Sequence, residues 1–281
     1  MAEVRARVRL ASPEPGGDLR AYRAVLASRI RSQRSYRLGF SLDLGASLLV
    51  GVIELAEVWV LFHSVGELGG FTFGQMLLVF GLADLAFSVA DLVFGHCDNL
   101  PTYLRAGTLD VFYLRPQPLL LQLITSDISL RRLARASVGL VALVAGLVVN
   151  DVDLGPRTIT IVILALVSGV AIFAAMFVWA AGVQFFLVDG AEATNAFVYG
   201  GRYASSQPAS VWSRPVLVLF GFFFPMTFAG FLPMLLLLDV AGPDWLPASL
   251  GWWAPAMALW TWTLALLSWR LGVRHYQGAG G

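Results

Sequence analysis

Long apolar runs alternate along this chain with blocks of arginine, and the alternation restricts it to a membrane-embedded fold. The runs are roughly 18 to 28 residues long, enough at about 1.5 Å per residue to cross a hydrocarbon core about 30 Å thick. They predict six helical spans, at about 38–62, 74–95, 133–150, 158–187, 215–238 and 252–271. All 19 basic residues are arginines. All but Arg157 fall in four blocks: Arg5 to Arg37; Arg105, Arg115, Arg131, Arg132 and Arg135; Arg202 and Arg214; Arg270 and Arg274. Arginine near a helix end is retained in the cytoplasm, so these blocks predict that both termini are cytoplasmic. The opposite loops carry Glu67, Asp151, Asp153, Asp239 and Asp244, and only Arg157 opposes the pattern.

Composition agrees. A chain that is 58% hydrophobic and 13% charged, with mean hydropathy +0.74, reads as an all-α integral membrane protein. Its net charge of +1 conceals the separation of charge across the bilayer. Cys97 has no second thiol to pair with, and His63, His96 and His275 are scattered, so neither a structural disulfide nor a metal site is expected. The N-terminus mixes arginine with Glu3, Pro13, Glu14, Pro15 and Asp18 and has no apolar core, unlike a cleavable signal; the first span is expected to be the targeting element.

The chain also lacks the residues of a catalytic engine. It contains no lysine, which a Walker A loop needs on the nucleotide phosphates, and no zinc-protease helix or Gly-x-Ser-x-Gly elbow. No catalytic residue is therefore assigned, any nucleotide hydrolysis belongs to another polypeptide, and no nucleic-acid partner is expected.

Outside the spans, residues 1–17 read as a mobile cytoplasmic tail. Residues 18–36 read as an amphipathic helix on the membrane surface, with Leu19, Tyr22, Leu26 and Ile30 on one stripe, flanked by Arg23 and Arg29 that snorkel to lipid phosphates. The region from His96 to Arg132 is too apolar for a solvated connector. Asp98 or Asn99 can cap a short helix at Pro101, Gly107 can end it, and Pro116 and Pro118 forbid continuation. Leu119, Leu120, Leu123 and Ile124, alternating with Gln122, Ser126, Asp127 and Arg131, predict a surface helix leading into the third span. The region Asp189 to Arg214 is expected at the inner surface. Pro243, Pro247 and Pro255 with Trp245, Trp252 and Trp253 suggest an external or re-entrant segment, and residues 277–281 a short tail after a transmembrane domain of 37–276.

The unusual chemistry inside the spans is acidic: Asp43, Glu54 and Glu57 in the first, Asp84 and Asp91 in the second. An ionised carboxylate at a helix centre costs about 2.5–3.5 kcal/mol in lipid, so these groups should face protein or water, or be protonated. Two readings follow. The acidic faces of spans one and two attract a cationic substrate, or the acids are structural, with Arg37 or Arg105 as counter-charges for Asp43 and Asp91. Gly39, Gly45, Gly51, Gly139 and Gly146 should allow close helix packing, and Pro225 and Pro233 should kink the fifth span.

The stretch Leu104-Arg105-Ala106-Gly107-Thr108-Leu109-Asp110, continuing to Leu114-Arg115-Pro116-Gln117-Pro118, resembles permease subunits of type-2 ABC exporters. It is similar to the G-[TS]-L-D-x-x-L-x-[RK]-P pattern of a bacterial subgroup, although Leu114 and Arg115 are adjacent here where the pattern spaces them. Phe224-Pro225, Phe231-Leu232-Pro233 and the tail Gly272 to Gly278 look like the same subgroup, so the likeness covers roughly residues 18–281. It implies an elbow helix before six spans and a coupling helix between spans two and three that docks on a separate cytoplasmic ATPase dimer, which binds ATP and Mg. Carried onto this chain, the coupling element is Asn99, Tyr103, Leu104, Arg105, Gly107, Thr108, Leu109 and Asp110. The resemblance further implies a second permease subunit, a heterodimer rather than a homodimer, in a bacterial cell membrane. Spans one, two and five would line the path, with Glu54, Glu57, Asp84, Asp91, Phe224 and Pro225 as its candidate residues. Export of a hydrophobic or amphiphilic compound, such as a drug, lipid or secreted metabolite, is the implied activity. The alternatives are an ion-coupled carrier using Asp84 or Asp91, or a membrane enzyme or scaffold without cargo.

Overall fold

Backbone N–H and C=O groups have no water to pair with inside hydrocarbon, and a helix satisfies them within one segment. Helices accordingly carry almost the whole described chain in the computed structural model, which describes residues 37–126, 132–187 and 191–276. The expected amphipathic helix at 18–36 and both tails lie outside the described residues. Helix α1 (Arg37–Val65) leads to a small antiparallel hairpin, β1 (Glu67–Leu68) and β2 (Phe71–Thr72), and α2 (Phe73–Phe94) returns from it. This hairpin is the one departure from an all-helical chain among the described residues. Gly69 and Gly70 make its turn at φ of 61° and 85°, a conformation that a side chain opposes.

A 3₁₀ turn, Gly95–Asn99, connects α2 to three short helices, α3 (Leu100–Arg105), α4 (Asp110–Tyr113) and α5 (Leu119–Ser126). Then come α6 (Arg132–Val149), α7 (Pro156–Gln184), α8 (Ala191–Ser205), α9 (Arg214–Val216), α10 (Phe231–Leu238) and α11 (Ala254–His275). Helix α9 winds on as a π-helical stretch over Leu217–Phe223.

By length and composition, four helices can cross a membrane: Ser41–Val65, Phe73–Arg105, Arg132–Val149 and Pro156–Gln184. The pair Arg214–Phe223 and Met226–Leu238 makes a fifth only if both arms, bent by 64°, count as one span. The expected span at 215–238 is therefore a sharply bent pair, broken at Pro225 where a kink was expected. Proline has no N–H and its ring excludes the preceding helical turn, so the chain breaks at Phe224 (φ −103°, ψ 95°) and Pro225. Pro233 does not kink the chain, because it falls in the first turn of α10, where its missing N–H is needed by no one. The 22-residue helix α11 is long enough to cross, but Thr261, Thr263, Ser268, Arg270 and Arg274 dilute its apolar character.

The region Asp189 to Arg214 is corrected as well: its described part does not lie flat at one end of the bundle. At its start, Gln184 Nε2 at the end of α7 donates to Thr194 Oγ1 (3.0 Å), and Tyr199 donates to Asp98 Oδ2 (2.7 Å). Near its end, Ser210 Oγ donates to Gly69 O (2.9 Å) in the hairpin at the opposite end of the bundle. Helix α8 thus climbs through the depth of the bundle. The next segment turns back: Phe220 and Phe224 stack near Phe197 (5.8 and 5.7 Å), Phe224 meets Trp179 (4.8 Å), and Phe231 returns to Phe71 of the hairpin (5.2 Å). The two arms form a V whose tip is Phe224-Pro225.

Helices α2 and α6 are seamed by glycine. Gly81 faces the backbone of Leu143, Gly146 faces Leu78, and a Cβ on Gly139 would stand 2.7 Å from Leu85 N. Gly51 packs on Val138, whereas Gly39 and Gly45 face open space. Backbone cannot yield as a side chain can, so Gly139→Leu should force the pair apart and destabilise the protein by about 1–3 kcal/mol or more. Gly45→Ala, with better helix propensity and no neighbour to strike, should be neutral or slightly stabilising. Thermal unfolding of the detergent-solubilised variants checks both; equal midpoints would show that the glycine seam does not matter.

Candidate functional site

Two apolar clusters fill the bundle. One holds Phe71, Phe80, Leu82, Phe228 and Phe231 toward the hairpin; the other holds Ala86, Phe87, Leu109, Phe173, Phe177 and Trp269 toward the opposite end. Between Leu82 and Ala86 lies Asp84, which is 1% exposed, and around it a layer of charge.

Arg202 of α8 is the hub of that layer. Its fork meets both oxygens of Glu54 on α1, Nη1 to Oε1 at 2.9 Å and Nη2 to Oε2 at 2.5 Å. Its Nε donates to Asp84 Oδ1 on α2 at 3.1 Å, and Nη2 also pairs with that oxygen. Arg135 of α6 adds a second cation, 2.5 Å from Glu54 Oε1 and 3.9 Å from Asp84 Oδ1. Both guanidinium groups lie over the Phe87 ring, at 5.1 Å for Arg202 and 5.8 Å for Arg135. Two carboxylates and two guanidinium groups leave the layer neutral, which is how four charges can be taken out of water.

Asp91 forms a separate pair, with Arg132 Nε at 3.1 Å from Oδ2 and Arg132 Nη1 donating to the Asp91 carbonyl at 2.6 Å. The counter-charges of Glu54, Asp84 and Asp91 are thus Arg132, Arg135 and Arg202. Asp91, expected to face Arg37 or Arg105, pairs with Arg132. Arg132 and Arg135, three residues apart at the start of α6, were the available signal, since that spacing puts both on one face. Nothing local marked Arg202. Of the remaining pathway candidates, Glu57 and Asp43 are exposed, Phe224 is buried beneath Trp179 and Phe197, and Pro225 forms the tip of the V.

At the end away from the hairpin, α3 and α4 build a second site. Gly107 joins them at φ 67°, which favours glycine. The coupling candidates divide by direction. Leu109 is fully buried. The Tyr103 hydroxyl sits 2.9 Å from His96 Nε2 and its ring 5.2 Å from Phe112, while Asn99 meets His96 at 3.2 Å. Asp110 Oδ1 accepts from the Tyr276 hydroxyl beyond α11 (2.8 Å), and Tyr113 stacks on Tyr276 at 5.8 Å with planes 6° apart. Leu104 is half-buried. Arg105 and Thr108 point outward, joined by Ala106, Val111, Leu114 and Arg115, with Leu114 84% exposed. Val111 and Leu114 were not among the sequence candidates, which end at Asp110. Gln122, expected on a wet face, is buried and donates to Phe112 O (3.0 Å) and Gln117 O (2.7 Å), holding the end of α4.

The charge layer predicts its own failure. Arg202→Met leaves Asp84 and half of Glu54 uncompensated and should cost about 3–5 kcal/mol. Adding Asp84→Asn to that variant should recover part of the loss, as measured by thermal unfolding in detergent. A wild-type midpoint for Arg202→Met alone would contradict the role given to the layer.

A helical bundle with a neutralised charge layer at its centre and a short helical tip at one end fits a membrane component whose partner works from outside it. The chain matches the family model for ABC-2 family transporter proteins over residues 48–280. No curated protein and no solved structure matches it. The match takes in most of the chain, and the chain belongs to the ABC-2 transporter family, as a non-catalytic, multi-pass permease of an ABC transporter.

Proposed function

We propose that this permease is half of an ATP-driven exporter of hydrophobic or amphiphilic compounds, and that the α3–α4 tip docks on a cytoplasmic ATPase dimer. ATP and Mg are bound there, not on this chain. The observation that carries the reading is the construction of the tip. An exposed patch of Val111 and Leu114, flanked by Arg105 and Arg115, stands on residues locked inward: Leu109 in the core, Tyr103 on His96, Asp110 on Tyr276. A lever must contact its partner without bending, and an exposed apolar patch with arginine at its rim suits a protein interface.

In this reading α1, α2, α6, α7, α8 and α11 are the six crossings, and the V of α9 and α10 enters from the hairpin side without passing through. Both termini stay cytoplasmic even though Arg202 and Arg214 no longer count as cytoplasmic arginines. Arg105, Arg115, Arg132, Arg270 and Arg274 still lie on the side of the tip, and Arg157 and Arg214 on the other. At that outer end the Arg157 guanidinium hydrogen-bonds the exposed Asp239 and holds its carboxyl below the usual range. A second permease, favoured as a different chain, completes the transporter. An ion-coupled carrier is disfavoured because Asp84 and Asp91 are both committed to arginine.

Co-purification of the tagged chain should capture an ATPase whose activity in lipid responds to cargo. Arg105→Glu and Leu114→Asp should leave insertion intact and weaken ATPase capture by about tenfold or more, the scale of a hot-spot loss. Asp110→Ala frees Tyr276 and should lower coupled ATPase activity with a smaller effect on capture. Absence of any ATPase, or unchanged capture by both tip variants, would overturn the assignment.

A further inference from the structure

Once the charge layer and the Asp91 pair are accounted for, Asp43 and Glu57 of the first span are left over, and of the two only Glu57 borders a cavity. Glu57 lies one turn beyond Glu54 on the same face of α1, yet Arg135 and Arg202 are taken by Glu54 and Asp84. It is exposed, and no ion pair forms on it among the described residues. Helix α1 is also the span least covered by its own chain: 11% of it is buried, against 72% for the second span. A lipid-facing carboxylate at this depth would cost about 2.5–3.5 kcal/mol, so this face looks onto water or protein rather than lipid tails.

Beside Glu57 the α1–α8 groove holds a notch of about 40 Å³, lined by Glu54, Glu57, Leu61, Arg202, Tyr203 and Gln207. That volume admits a few water molecules. Its wall combines an uncompensated negative charge, an exposed tyrosine ring (Tyr203, 57%), an amide and aliphatic side chains. Those features suit a cationic head group whose apolar body lies along the exposed Leu61 and Val60 of α1. An anion would face Glu57 without a free arginine to offset it.

Resting on the exporter reading, we infer that the transported compound is a cationic amphiphile and that Glu57 is its counter-charge in the groove between α1 and α8. The inference separates Glu57 from Glu54 and Asp84, which the sequence groups with it. Those two hold the helices together; Glu57 holds the cargo.

The probe is a primary alkylammonium, with the alkyl sulfate of equal chain length as its anion, bound to the purified full chain in nanodiscs and corrected for empty nanodiscs. The cation should bind the protein, and Glu57→Gln should weaken it by about tenfold, the scale of one charge-assisted contact. Glu57→Asp should retain most of the binding, and Asp43→Asn, an exposed acid on the same helix but outside the notch, should leave it unchanged. Equal binding of both ions, no effect of Glu57→Gln, or an equal effect of Asp43→Asn would overturn the inference. So would loss of permease pairing in Glu57→Gln with cation binding intact, which would assign the carboxylate to a subunit contact. ATPase capture measured on the same preparations separates this failure from failure of the exporter reading.

Discussion

Arg202 brings a full positive charge to the centre of an apolar bundle, and the placement of four helices follows from meeting its needs. A guanidinium out of water requires carboxylates within hydrogen-bond reach and in the plane of its fork. Glu54 supplies two oxygens from α1 and Asp84 one from α2, while Arg135 from α6 balances the second negative charge. The layer therefore fixes how α8 is inserted among α1, α2 and α6. Burial of apolar surface alone would not do so, because it is indifferent to rotation and sliding. A buried ion pair is weak evidence for stability, since desolvation offsets much of the attraction. Its contribution here is register.

The glycine seam and the charge layer work on the same helices. Gly81, Gly139 and Gly146 bring α2 and α6 to backbone contact, and at that spacing Arg135 reaches both Glu54 and Asp84. Without hydrophobic drive between helices in lipid, close packing and polar contacts are the available sources of association. The two reinforce one another: small residues set the distance, and charges set the angle about the helix axis.

Function is laid out along the same axis. The α3–α4 tip at one end is tied through Asp110 to Tyr276 beyond α11, and through Leu109 and Tyr103 to the cluster that includes Phe87. Phe87 in turn lies beneath both guanidinium groups of the layer. Packed side chains thus connect the tip to the element that holds α1 against α8, where Glu57 lines the groove. The proposed docking and transport roles would use this route.

Much of this was legible in the residues. Apolar length predicts helices in a membrane, the absence of lysine removes a phosphate-binding loop, and Gly107-Thr108-Leu109-Asp110 with the neighbouring prolines predicts a short helix and a turn. These are local properties, set by a few consecutive residues and by the cost of unpaired backbone in hydrocarbon. What tertiary structure decided is nonlocal. Arg202 meets partners 118 and 148 residues away, a relation that no window of sequence contains, so counting arginine by region placed it at a surface. Pro225 likewise reads as a kink within one span at 215–238, and only the contacts of Phe224 and Phe231 show the chain turning back toward the hairpin, because a proline marks where a helix breaks and not where the chain goes next. Hydropathy also could not tell Glu57 from Glu54, two glutamates three residues apart. Only the arrival of α8 pairs one of them and leaves the other open, because an arginine fork has a fixed reach and Glu54 occupies it.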